Sequence, residues 1–236
     1  MSRKIKIITA VLAVMLIAGG LIFSFRIKNI TVQGNAWYTD EEIAEEILSG
    51  PMSDRSVVIF LKNLLGRKES IPFIEDYSVS FTSTDSIEII VYEKSIVGYV
   101  EYMSSNMYFD KDGIVVESSY ESLSGIPQIT GLEFGSIVLY KKLPVSDARV
   151  FENILNLTQM LSVNGIGVDR INYSEMREAT LYIDDIVVEL GTDEEMNGKI
   201  SELADMLPKL EGMSGTLYLD TYDKNNDNAA YSFKLN

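Results

Sequence analysis

Asp220, Asp223, Asn225, Asp227 and Asn228 crowd oxygen-bearing side chains into one short stretch, the density that a hard cation such as calcium requires. Counted as a calcium loop from Asp223, the sixth position is Asn228, where the sharp turn needs Gly, and the twelfth is Lys234, where a bidentate Glu is needed. The stretch therefore reads as a polar hairpin turn. Paired carboxylates, Asp184-Asp185 and Glu194-Glu195, are the residue type a glycosidase uses as acid and nucleophile or base. With 35 acidic residues such neighbours arise by chance, and adjacent residues of a strand point to opposite faces. The chain has no cysteine and no histidine, which removes disulfides, thiolate–zinc sites, cysteine nucleophiles and histidine-based triads. No S-x-x-K, G-x-S-x-G or P-loop pattern occurs. No catalytic residue, metal or cofactor is expected.

The aromatic residues near the C-terminus point to a different chemistry. Tyr218, Tyr222, Tyr231 and Phe233 fall in two alternating stretches, "GTLYLDTY" and "AAYSFKLN", with few charges between them. Alternation puts Leu217, Leu219 and Thr221 on one face and Tyr218, Asp220 and Tyr222 on the other. A terminal strand at a sheet edge has unpaired backbone groups that accept a partner's strand, and tyrosine supplies both contact area and a hydroxyl. The competing reading is that half of these aromatics are core. The candidate partner-binding residues are Tyr218, Asp220, Tyr222, Tyr231, Phe233 and Leu235.

The elements that must carry such a surface begin with an apolar run. Residues 7–25 hold 19 positions without a charge, about 28 Å as a helix and close to the hydrocarbon thickness of a bilayer. The run ends in Phe23, Phe25, Arg26 and Lys28 with no small-residue cleavage pattern, so it reads as an uncleaved anchor rather than a signal peptide. Arg3, Lys4 and Lys6 precede it, a basic bias that favours a cytoplasmic N-terminus. Residues 1–28 hold 5 of the 20 basic residues and none of the 35 acidic ones, which leaves the remainder at a formal −20. A domain so acidic is repelled by phosphate backbones and by anionic lipid surfaces, which argues against nucleic acid as a partner.

Beyond the anchor, "IKNITVQ" alternates as a strand, Gly34-Asn35 signals a turn, and Thr39 and Glu42 form a capping box ahead of Ile43, Ala44, Ile47 and Leu48. Gly50-Pro51 stops that helix, residues 56–67 suit a second, and residues 78–100 read as a hairpin around the S-T-D-S cluster. In the second half, residues 146–162 show helical spacing and "INYSEMREATLYIDDIVVEL" offers two or three strands. A second T-D-E-E stretch, 192–195, opens a helix with Met196, Ile200, Leu203 and Leu207 inward. The two T-D-E-E boxes do not indicate a duplication, because the segments after them differ in length and pattern.

"IKNITVQGNAWYTDEEI" resembles the opening of a POTRA domain, whose first strand ends in a V-x-G-N step. "SVSFTSTDSIEIIVYEKSIVGYV" resembles the segment of the FtsQ/DivIB bacterial division proteins that ends in an E-R-x-P motif. Here that motif is Glu93-Lys94-Ser95-Ile96, with Lys for Arg and Ile for Pro. "MYFDKDGIVVE" is similar to the family's D-x-x-G hairpin through Asp110 and Gly113, and "IPQITG" to its P-x-I-x-G step through Pro127, Ile129 and Gly131. "LGTDEEMNGKISELADMLPKL" and "GTLYLDTY" are similar to its lG…K helix and i-D-l strand.

The resemblance implies an α+β protein with a cytoplasmic tail (1–6), a transmembrane helix (7–25), a POTRA-like β-α-α-β-β domain (26–95) and a mostly antiparallel extracytoplasmic β domain with flanking helices (96–236). It also implies a non-enzymatic, single-pass membrane scaffold at the bacterial division septum. The implied partners are small bitopic proteins of the DivIC/FtsB and FtsL types, with a link to septal peptidoglycan synthases. Partner contact would lie on Leu217 to Tyr222 and Tyr231 to Leu235, with Arg26 to Gly34 holding the POTRA-like unit near the bilayer. The alternative is a membrane-anchored envelope hydrolase using paired carboxylates.

Overall fold

The computed structural model describes residues 3–66, 68–224 and 231–235. The polar turn expected over 223–228 lies outside the described residues after Lys224. The chain divides after Lys94 into two compact units.

Helix α1, Arg3–Ser24, opens the first unit, and Ile7, Ile8, Val14, Met15, Leu16 and Ile17 on it are exposed. Among the described residues, no helix is long and apolar enough to cross a membrane.

The unit continues as β1 (Asn29–Gln33), α2 (Asp40–Ile47), α3 (Ser56–Leu64), β2 (Ile74–Phe81) and β3 (Ser86–Glu93), in the order the hydrophobic periodicities predict. The sheet order is β1-β3-β2, with β1 parallel and β2 antiparallel to the central strand. Val32, Ile87, Ile89 and Val91 from the sheet meet Ile43, Ile47 and Ile59 from the helices in one core. The capping box forms as the sequence predicts: Thr39 Oγ1 accepts from the Glu42 amide, and the Glu42 carboxylate accepts from the Thr39 amide at 2.8 Å. Those bonds, the backbone one foremost, hold the Glu42 carboxyl below its ordinary pKa.

Gly34 turns the chain at φ +87°, and a Cβ there would sit 2.4 Å from the Val91 carbonyl oxygen, so only glycine lets β1 leave the sheet at this point. Glu93 fastens the same loop from the far end of β3. Its Oε1 accepts from the amides of Ala36 (2.6 Å) and Trp37 (3.0 Å).

The second unit is built on a sheet of order β12-β11-β10-β9-β8-β7-β4-β5-β6. Its strands are β4 (Gly98–Tyr102), β5 (Ser105–Phe109), β6 (Val115–Ser119), β7 (Gln128–Thr130), β8 (Arg170–Tyr173), β9 (Ala179–Ile183), β10 (Ile186–Gly191), β11 (Gly215–Tyr218) and β12 (Ser232–Leu235). Five of its eight pairings are antiparallel, so the fold is α+β with an antiparallel-rich sheet. Helices α4 (Ala148–Val163) and α5 (Met196–Leu210) contribute Phe151, Ile154, Leu157, Ile200 and Leu203 to its core. In the D-x-x-G hairpin, Asp110 Oδ1 accepts from the amides of Asp112 and Ile114, both at 2.9 Å, and Gly113 takes φ +77°.

The capping box expected at 192–195 does not form. Glu195 caps α5 in the left-handed region (φ 54°) with no side-chain bond to the helix. The loop ahead of the helix is instead tied by Lys199, which is buried and donates to the carbonyls of Leu190 (2.7 Å) and Thr192 (3.0 Å). Burial pushes the Lys199 pKa down, against the pull of Asp220 and nearby acidic residues.

Candidate partner-binding edge of the second unit

β11 and β12 lie at one end of the large sheet. β11 runs parallel to β10, and β12 pairs antiparallel with β11 as the edge strand. The Gly215 amide donates to the Asp185 carbonyl (3.2 Å) and the Leu219 amide to the Glu189 carbonyl (2.9 Å), so odd-numbered residues of this segment direct their backbone polar groups at β10. Thr216 and Tyr218 then face β12, where they are opposite Lys234 and Ser232. Opposed residues of an antiparallel pair alternate between exchanging hydrogen bonds and not. Ser232 and Lys234 therefore bond inward, and Phe233 and Leu235 direct their N–H and C=O groups to the open edge.

Side chains follow the same alternation. Phe233 lies opposite Leu217, which is fully buried, and is half-buried against the core, as is Tyr231. Leu235 shares that face at the strand end and is 66% exposed. Gly215 is required because a Cβ would lie 2.4 Å from the Lys234 carbonyl oxygen and 2.8 Å from the Phe233 ring.

The expected strand from Leu217 to Tyr222 is shorter in the structure. β11 stops at Tyr218, and Asp220 and Thr221 form a turn closed by the Tyr222 amide donating to the Leu219 carbonyl at 3.2 Å. Leu219 has no exposed surface and its amide still bonds to β10, and the chain turns directly after it. Tyr218, Asp220 and Tyr222 consequently do not form one strand face. Tyr218 is half-buried on the strand, Asp220 is exposed in the turn, and Tyr222 folds back to stack on Tyr231, rings 6.2 Å apart and inclined by 13°.

The Tyr222 ring sits so close to α5 that a Cβ on Gly198 would be 2.3 Å from its hydroxyl. Desolvation, then the negative field of Glu202, pushes the Tyr231 hydroxyl up. Lys224 pairs with Glu195, which raises the lysine pKa and fastens the turn to the start of α5. Periodicity alone does not reveal this platform. Its signal was Gly198, an isolated glycine inside a helical pattern, which marks close packing.

The carboxylate pairs are placed differently from the sequence reading. Asp184 and Asp185 occupy the β9–β10 turn rather than a strand, with Asp184 at φ 48° and its amide donating to Asp169 Oδ2 at 2.8 Å. With Asn164 and Glu211 they line an open 710 Å³ cavity. Glu195 is engaged by Lys224. Among the described residues, no cluster of acidic side chains could hold a metal ion.

No family model matches the chain. It is 24% identical over 208 residues to the cell division protein DivIB of Clostridium acetobutylicum, an alignment covering 86% of this chain and 81% of that protein. That relationship runs through both units, and the V-x-G-N turn, the D-x-x-G hairpin and the closing strand all stand in the order the motifs require. That similarity supports membership of the FtsQ/DivIB family of cell division proteins.

Proposed function

We propose that this chain is a non-enzymatic scaffold of the bacterial division machinery, anchored once in the cell membrane with both units outside. It collects small bitopic proteins of the DivIC/FtsB and FtsL types and links them to septal peptidoglycan synthesis. The observation that carries the reading is β12: an edge strand whose Phe233 and Leu235 offer free backbone pairing, flanked by the Tyr222–Tyr231 stack. A partner segment added there as a strand gains main-chain hydrogen bonds for affinity and side-chain pockets for specificity. The anchor rests on the 19 uncharged residues 7–25 and the basic residues before them. The DivIB relative supports the division role, and the partner types and the domain limits 1–6, 7–25, 26–95 and 96–236 remain part of the proposal.

The test is co-purification of the full chain with small bitopic division proteins, repeated with Tyr222→Ala and Phe233→Ala. Retention by the wild type and loss in both variants is expected. Unchanged retention in both variants moves the site elsewhere, and absence of any division partner sinks the scaffold reading. The carboxylate-lined cavity at Asp184, Asp185 and Glu211 favours the hydrolase alternative, and cleavage of cell-wall glycan by purified protein would establish it.

A further inference from the structure

Helix α3 buries Ser56 and Ile59 and turns a wholly different face outward. Phe60, Leu61, Leu64 and Leu65 are between 46 and 70% exposed, a run of large apolar side chains that a soluble surface rarely leaves in water. The face is not isolated. Phe25, Val57, Phe60 and Phe81 line a shallow 450 Å³ depression beside it, with Phe60 and Phe81 rings 6.4 Å apart.

The end of α1 is stitched to the start of α3. The Ser56 amide donates to the Phe25 carbonyl (3.2 Å), the Ile27 amide to the Asp54 carbonyl (2.9 Å), and Arg26 pairs with Asp54. The exposed apolar surface of α1 and that of α3 are thereby held next to each other. Charge singles out the same segment. From Arg55 to Lys68 there are four basic residues and no acidic one, in a chain whose formal charge is −15.

We propose that α3 lies in the headgroup region of the bilayer beside α1, with Phe60, Leu61, Leu64 and Leu65 immersed in the lipid and Lys62 and its basic neighbours at anionic headgroups. An amphipathic helix with an aromatic and leucine face and cationic flanks partitions in this way, its lysine stems reaching along the apolar surface to the water. The inference rests on the anchor reading for the nearness of the bilayer and adds a second membrane contact, one that fixes the orientation of the first unit on the membrane. A lipid surface is favoured over a protein groove because the apolar face is continuous with α1 and the segment that carries it has no acidic residue of its own, its lysines being matched only from outside it by Glu69 (4.0 Å from Lys62) and Asp76 (paired with Lys68).

The absence of cysteine makes the test direct. Met15→Cys, Leu64→Cys and Tyr120→Cys variants of the full chain, each carrying an environment-sensitive fluorophore, are reconstituted into phosphatidylethanolamine–phosphatidylglycerol vesicles containing spin-labelled lipid. Position 64 should be quenched by shallow spin labels at least about threefold more than position 120, and position 15 by deep ones. If position 15 is quenched and position 64 behaves like position 120, the inference is wrong and the anchor stands. If neither 15 nor 64 is quenched, both fail. Shielding of position 64 only after a partner protein is co-reconstituted also overturns it, because that face then belongs to a protein contact.

Discussion

Leu235→Pro isolates what the edge strand offers. Leu235 directs its N–H to the open edge, so proline there removes a donor that the fold itself does not use, and proline is tolerated at such positions. A backbone hydrogen bond is worth a net of about 0.5–1.5 kcal/mol, which corresponds to roughly a 2- to 12-fold weaker Kd for a strand-adding partner. Leu235→Ala controls for the side chain, since it keeps the amide; the proline-to-alanine ratio is the measured quantity. Lys234→Pro is the mirror experiment. It removes an inward donor opposite Thr216, leaves a carbonyl unpaired at a cost of about 1–3 kcal/mol, and should raise amide exchange in β11. Binding is read by titration of a labelled partner, and pairing by hydrogen exchange. The reasoning fails if Leu235→Pro and Leu235→Ala bind equally well, or if Leu235→Pro disturbs β11 as much as Lys234→Pro does.

Other sites give three further outcomes. Tyr173 is buried with its hydroxyl unpartnered among the described residues, so Tyr173→Phe should raise stability by about 1 kcal/mol in denaturant titration. Burial also pushes that hydroxyl above its ordinary 10.0, so the unfolded chain ionises first and stability falls as pH rises beyond that value, a loss the Phe variant should not show. Gly34→Ala combines a positive φ with a clash on the Val91 carbonyl and should cost the first unit about 2–4 kcal/mol, monitored through the fluorescence of Trp37, the single tryptophan. Asp147 caps α4 by accepting from the Arg149 and Val150 amides, and pairs with Arg177 at 2.8 Å. Those bonds, Val150 first, hold its carboxyl below the ordinary 3.8, so Asp147→Ala should lower the melting temperature at neutral pH, and the gap should close as pH falls below that value.

Where structure depends on neighbours in sequence, the residues are legible. Thr39 and Glu42 close their box, the hairpin turns at 82–85, and α4 ends at Asn164 as its spacing predicts, because each is decided by bonds within a few residues. The second T-D-E-E stretch shows the limit. Thr192 has the right neighbours for a cap, yet its carbonyl is held by Lys199 and the helix starts after Glu195. Likewise alternation assigns Tyr218, Asp220 and Tyr222 to one face, but the chain turns at Asp220 and Thr221, closed by the Tyr222 amide on the Leu219 carbonyl, before Tyr222 can join them.

By itself the sequence determined the element order of the first unit, the absence of histidine and cysteine chemistry, the charge contrast between residues 1–28 and the rest, and the family motifs. Only the tertiary structure decided that β12 is an edge, that β11 runs parallel to β10, and that Phe233 and Leu235 are the residues with outward backbone groups. The physical reason is that periodicity specifies which face a side chain takes, whereas strand order and hydrogen-bond phase are set by pairings between segments far apart in the chain.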